Sequence, residues 1–188
     1  MNVEQIRDFF IKFQATVDKY KIEKGDIWNM DETGLRVGVG REQWVIVPTG
    51  QEQGCFQNLI GSTGDTEHVS VVECISAGGE VIAPLIIIKG VVIQAHWFAD
   101  IQDGDIAIGV SKSGYANDII SFQWLQYWNR LSKRRQQGIY RLLIMDRYES
   151  HLTIQFVQYC EIEKIILLHL PPHSTHFLQP LDVVIFQQ

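Results

Sequence analysis

Cysteine is scarce in this 188-residue chain, with only Cys55, Cys74 and Cys160, each far from the others. An odd, unclustered set argues against a disulfide or zinc framework and suits a reducing compartment. Positive charge is also in short supply. Lys and Arg number 16 against 22 Asp and Glu, a net charge of −6, which opposes broad attraction to nucleic acid and leaves room for a local basic face. The one concentrated basic run, Lys133-Arg134-Arg135, reads as a solvated helix end. No apolar run approaches the roughly 20 residues of a membrane-crossing helix. The opening MNVEQIRDFF has neither the basic start nor the apolar centre of a signal peptide. GxSxG, GxxxxGK[ST] and CxxC are all missing, which removes the simplest nucleophile, nucleotide and redox chemistries. RVGVGREQ (36–43) begins like a dinucleotide loop, but Gln43 stands where the third glycine belongs, so it reads as a turn between strands.

What the chain does contain is enough apolar material for one globular domain: 46% hydrophobic residues beside 20% charged. Val3, Ile6, Phe10, Phe13 and Val17 recur at helical spacing and predict an amphipathic helix over 3–19, stopped by Lys24-Gly25-Asp26. Short apolar segments follow at 27–31, 44–47, 68–76 and 81–90. The Ser76-Ala77-Gly78-Gly79 turn pairs the last two as an antiparallel hairpin. Asn117 or Asp118 caps a helix through Leu131 that buries Ile120, Trp124, Leu125 and Trp128. Then YRLLIMD (140–146), a helix from Ser150 to about Cys160, and KIILLHL (164–170) make a βαβ unit with parallel strands. Hairpin first and βαβ later predict an α/β fold, a mixed sheet flanked by helices.

His169, His173 and His176 have the i, i+4, i+7 spacing of a helical metal face, but Pro171 and Pro172 break any helix there, leaving loop histidines with local hydrogen bonds. The acids carry more. Asp31 ends the first short strand, Asp146 ends the YRLLIM strand, and Asp182 follows the proline-rich turn after the last strand. Each alone reads as a cap or turn residue; carboxylates at neighbouring strand ends converge on one sheet edge, where they can share hard divalent cations.

Three blocks in this order, WNMDETG, LLIMDRYESHLT and LPPHSTHFLQPLDV, resemble the motifs of the pogo/mariner-type DDE transposases, especially the DDE superfamily endonuclease domain. EHVSVVECISAGGEVIAPLIIIKG is similar to the hairpin between that family's first two blocks. The resemblance implies an RNase H-like (retroviral-integrase-type) core over 26–188, led into by a helix within 1–25. It implies Asp31, Asp146 and Asp182 as catalytic acids and metal ligands, Mg2+ or Mn2+ as cofactor with two ions, and phosphodiester hydrolysis followed by strand transfer. The turn would then serve to aim Asp182, with His173 and His176 supporting the loop or touching a DNA phosphate. DNA is the implied partner, bound weakly and without sequence preference by this chain alone; a homo-oligomer, a nuclear location and no membrane association go with it.

Three departures from the family pattern bear on activity. Arg147, Tyr148 and Glu149 replace the usual Gly, His and small residue after the second acid, while Ser150 and His151 match. The helix-turn-helix segments that usually precede the core are not evident, and the chain stops at Gln188 where the family continues into a further helix. These imply a bare, C-terminally truncated core from a transposable element, active or degenerate. The alternatives are a catalytically inactive nucleic-acid-binding or protein-interaction domain derived from a transposase, and an unrelated α/β binding domain whose acids are caps.

Overall fold

Residues 3–37, 67–94, 106–146, 153–172, 174 and 178–181 are described by the computed structural model. The strand expected at 44–47 lies outside them, as do residues 38–43 of the glycine-bearing stretch and Cys55.

Alternating and continuous apolar runs make strands because side chains on successive residues point to opposite faces. Six strands form one sheet: β1 (Ile27–Val37), β2 (Glu67–Ser76), β3 (Val81–Lys89), β4 (Ala107–Ser111), β5 (Arg141–Met145) and β6 (Ile165–His169). Their spatial order is β4-β3-β2-β1-β5-β6. β1 and β3 pair antiparallel to β2, whereas β3–β4, β1–β5 and β5–β6 are parallel, the mixed sheet that hairpin-then-βαβ order predicts. The hairpin turns where expected: Gly79 sits at φ +91°, a conformation that strains an L side chain, and its N–H bonds Ser76 O at 3.0 Å.

Three α-helices among the described residues accompany the sheet: α1 (Val3–Tyr20), α2 (Asp118–Ser132) and α3 (Ile154–Ile162). Asn117 caps α2, its side-chain oxygen accepting from Ile120 N at 3.0 Å. The helix buries Ile120, Trp124, Leu125 and Trp128, as their spacing predicts. α3 starts later than the sequence suggests, with Thr153 as its cap (Phe156 N to Thr153 Oγ1, 3.3 Å); Ser150 lies outside the described residues. In α1 the buried arc is rotated from the expected one. Phe9 is buried while Phe10 and Val3 are exposed. At 100° per residue Phe9, Phe13 and Tyr20 share one side, and Tyr20 meets Tyr140 there at a ring-centroid distance of 4.8 Å. Phe10 and Val3 fall beyond the opposite edge of that arc.

Helices α2 and α3 bury one sheet face. Trp28, Met30, Val72, Cys74, Ile87, Leu143 and Met145 pack there with Trp124, Leu125, Trp128, Phe156 and Cys160. Arg141 is fully buried at the start of β5. Its Nη1 donates to Ser132 Oγ at 2.6 Å and its guanidinium lies 5.1 Å from the Trp128 ring centroid, so it ties β5 to α2. Burial pulls its pKa down, opposed by Glu163 and more weakly by Asp26. The basic run behaves as solvated surface: Lys133, Arg134 and Arg135 are exposed, with Lys133 bonded to Glu163 at 2.7 Å and Arg135 paired with Glu80.

Both described cysteines are free and buried. Burial pushes the Cys160 thiol up to about 12, with Arg141 opposing, and holds Cys74 well above the ordinary thiol range. Neither forms the reactive thiolate near neutral pH. Iodoacetamide at pH 8 should therefore spare Cys74 and Cys160 in the folded protein and label both in urea, as peptide mass mapping would show.

Candidate active site

Asp31 and Asp146 each follow the last paired positions of β1 and β5 by two residues. β1 and β5 run parallel with Ile27 beside Leu142, Trp28 beside Leu143 and Asn29 beside Ile144. Continued two residues, that register sets Asp31 beside Asp146. Both then share a face with Asn29 and Ile144, because side chains repeat every second residue along a strand. The opposite face carries Trp28, Met30, Leu143 and Met145 into the helix-covered core.

One expectation needs correcting. Asp31 does not end its strand, since β1 continues to Val37 through Glu32, Thr33 and Gly34. Glu32–Val37 remain extended because β2 pairs with them, Glu32 opposite Val72 and Val37 opposite Glu67. What ends near Asp31 is the neighbouring strand: β5 stops at Met145, so the acid occupies the place where the sheet loses β5 as a partner. Asp146 is the first residue past that stop.

Local bonds fix both acids. Asp31 is 9% exposed, and its Oδ1 accepts the Glu32 backbone N–H at 2.9 Å, which orients the carboxylate. Glu32 points the other way and accepts from Ala116 N at 3.2 Å, joining β1 to the entry of α2. Asp146 is half-buried; its backbone oxygen lies 3.4 Å from His169 Nδ1, and Leu170 N donates to Met145 O at 2.9 Å. His169 thus serves the backbone at the second acid.

The proline-rich turn folds back on itself through Ser174, which is 2% exposed. Its Oγ donates to Pro171 O at 2.6 Å, and its carbonyl accepts from Leu178 N at 2.9 Å. Pro180 and Leu181 are helical and Leu181 is fully buried. Asp182, His173 and His176 lie outside the described residues, as do Arg147–Glu149 and His151. Among the described residues no three His, Cys, Asp or Glu form a group able to hold a metal ion.

Two polar residues that sequence reasoning did not single out stand in the same place. Gln179 is fully buried and Asn29 is 5% exposed. Gln179 Oε1 accepts from Asn29 Nδ2 at 2.7 Å, and Gln179 Nε2 donates to Met30 O at 2.8 Å. The signal available was Asn29 itself, an amide between Trp28 and Met30, which requires a partner when buried.

Known proteins place this arrangement in context. Residues 66–188 match the family described as DDE superfamily endonuclease. The chain is 32% identical over 177 residues to a Cochliobolus lunatus protein named MFS-type transporter clz9, covering 94% of this chain and 19% of that protein. It is 28% identical over 162 residues to CENP-B homolog protein 2 of Schizosaccharomyces pombe, covering 82% of this chain and 29% of that one. The chain thus spans under a third of the length of these curated relatives. Among the described residues no helix is long and apolar enough to cross a membrane. The Mos1 transposase paired-end complex with left transposon end superposes with a TM-score of 0.62 at 16% identity, over 99% of this chain and 48% of that one. At that identity the likeness establishes the fold, an RNase H-like mixed sheet flanked by helices. With two thirds of its length matched by the family's own pattern, the chain belongs to the DDE superfamily endonucleases.

Proposed function

We propose that this chain is the catalytic core of a metal-dependent DNA endonuclease of the transposase type, cleaving phosphodiester bonds by hydrolysis and joining ends by strand transfer. The observation that supports this reading is the β1–β5 register, Asn29 beside Ile144, which carried two residues further would set Asp31 beside Asp146 on one sheet face. Asp31, Asp146 and Asp182 are the ligands in this reading, with the core spanning 26–188 and α1 leading into it.

Two ionised carboxylates side by side repel each other unless a cation lies between them. Oxygen ligands of this kind suit Mg2+ or Mn2+, which keep several waters. Mos1 mariner paired-end complexes have been solved with Mn and with Mg, which supports the same choice here. Two such ions, when bound, would activate a water or a DNA 3′-hydroxyl and stabilise the leaving oxygen. The chain's own part is to hold the acids. Glu32 N–H orients the Asp31 carboxylate, and the backbone bonds of Leu170 and His169 fix the end of β5 before and at Asp146.

DNA binding by this chain alone is weak and sequence-independent, because net charge −6 opposes phosphate contact outside a local patch. Work on DNA places the protein in the nucleus, and joining two ends suits a homo-oligomer. The test is nicking of labelled DNA by the purified chain with manganese, with EDTA, and across a salt series. Nicks that need manganese, with binding that falls steeply with salt, are expected. Tight, sequence-selective binding without nicking would point to an inactive DNA-binding domain instead.

Arg147-Tyr148-Glu149 favours reduced turnover. Glycine at the first position permits backbone conformations that Arg adopts only at a cost. Tyr148, with a reference pKa near 10, replaces a His able to donate a hydrogen bond or carry a proton near neutrality. Glu149 adds negative charge where phosphate must enter. Arg147→Gly with Tyr148→His should raise the initial nicking rate at saturating manganese several-fold; equal rates would show that the segment is tolerated.

A further inference from the structure

Asn29 and Gln179 are 150 positions apart, yet their side chains meet in the interior at 2.7 Å. The pair joins three segments. Asn29 Nδ2 donates both to Gln179 Oε1 and to Ile144 O, the latter at 3.2 Å, so it bridges β1, β5 and the segment after the proline-rich turn. Gln179 Nε2 returns to the backbone of β1 at Met30 O, 2.8 Å away. These contacts fall next to the acids in each segment: Met30 precedes Asp31, Ile144 is two residues before Asp146, and Gln179 is three residues before Asp182.

The chemistry of the pair is selective. Gln179 uses one amide oxygen as acceptor and one amide nitrogen as donor, which neither a carboxylate nor an apolar side chain of that length can do. A core that needed only volume at this position would be filled as well by Met or Leu. Burying two amides entails loss of their water; both ends of the Gln179 amide regain hydrogen bonds, whereas of Asn29 only Nδ2 does and its Oδ1 has no partner among the described residues, a cost that volume alone would not call for. Leu181, two residues on, is fully buried in the same segment.

We propose that the Asn29–Gln179 amide pair is a positioning clamp for the third carboxylate, fastening the segment that leads to it to the strands that carry the first two acids. The clamp rests on the reading of Asp31, Asp146 and Asp182 as metal ligands. In this reading Gln179 and Asn29 are positioning residues that act through Asp182 and the strands that carry Asp31 and Asp146.

The test is manganese affinity, measured from the electron paramagnetic resonance signal of free Mn2+ over the purified chain, well below the melting temperature. Gln179→Met keeps the side-chain length and removes both hydrogen bonds. Loss of a group that orients a ligand typically costs 10- to 100-fold in metal affinity, so Gln179→Met should weaken manganese binding by about that factor, alongside Asp182→Asn, which leaves the clamp intact. A purely structural role would lower the melting temperature and leave the affinity of the folded protein unchanged. Should Gln179→Met fail to fold, Asn29→Ser removes the donor from the β1 side and carries the same expectation. Wild-type affinity in the clamp variant with weakened binding in Asp182→Asn would overturn the clamp while leaving the ligand assignment standing. Equal affinity in the wild type, Asp146→Asn and Asp182→Asn would overturn the ligand assignment, and the clamp with it.

Discussion

Asp146→Asn should reduce metal-dependent nicking at least about 100-fold, a loss of roughly 2.7 kcal/mol of transition-state stabilisation. The substitution keeps volume and shape and removes the negative charge that binds a divalent cation most strongly. An amide oxygen can still touch a metal ion, but it neither balances the charge of two ions nor offsets that of the entering phosphate. Asp146 is half-buried just past the end of β5, so the amide fits without repacking, and the melting temperature should stay within a few degrees of the wild type. Asp31→Asn should behave alike in cleavage. Nicking by Asp146→Asn at the wild-type rate would assign the activity to other residues.

The largest effect on stability is expected at the other face of the sheet. Trp128→Ala should destabilise the fold by about 4 kcal/mol, within the range for aromatic-to-alanine changes in packed cores. Trp128 is fully buried, stands edge-on to Trp28 at 6.1 Å, stacks on Trp124 at 6.3 Å, and lies under the Arg141 guanidinium. Removing the indole opens a cavity between β1, α2 and β5 that none of its neighbours can fill, and strips Arg141 of its aromatic partner. For a chain of this size the melting temperature should fall by about 10 °C. Urea unfolding with an unchanged slope and a lower midpoint would fit the cavity account; an unchanged midpoint would show that the tryptophan cluster contributes little.

Much of this architecture is legible from local signals. Asn117 before an amphipathic run gives α2 and its buried face, and Gly78-Gly79 between two apolar runs gives the hairpin. The continuous apolar runs on either side of α3 give the parallel pair β5–β6. Where the sequence misleads, pairing partners decide. Asp31 reads as the end of a strand, yet β1 continues to Val37 because β2 lies alongside. β4 escapes notice because AIGVS is short and carries a glycine, and it becomes a strand through its parallel pairing with β3. Phe9 and Phe10 are both apolar, and contacts distant in sequence settle which one is buried.

The candidate site divides in the same way. Asp31 and Asp146 are visible as acids at the ends of apolar segments, and the motif blocks single them out with Asp182. Asn29 and Gln179 are not visible from spacing. Each is an ordinary polar residue until the fold brings together positions that local sequence cannot relate. Their partnership belongs to tertiary structure, which is why the resemblance finds the acids while the geometry finds their support.

The most direct test of the account is the position of bound metal. Crystals of the chain soaked in manganese and measured at a wavelength sensitive to its anomalous scattering should show density between the Asp31 and Asp146 carboxylates, with a second peak expected at saturation and Asp182 contributing to one of the two. Manganese peaks only at the opposite edge of the sheet, or none beside Asp31 and Asp146 at saturating metal, would contradict it.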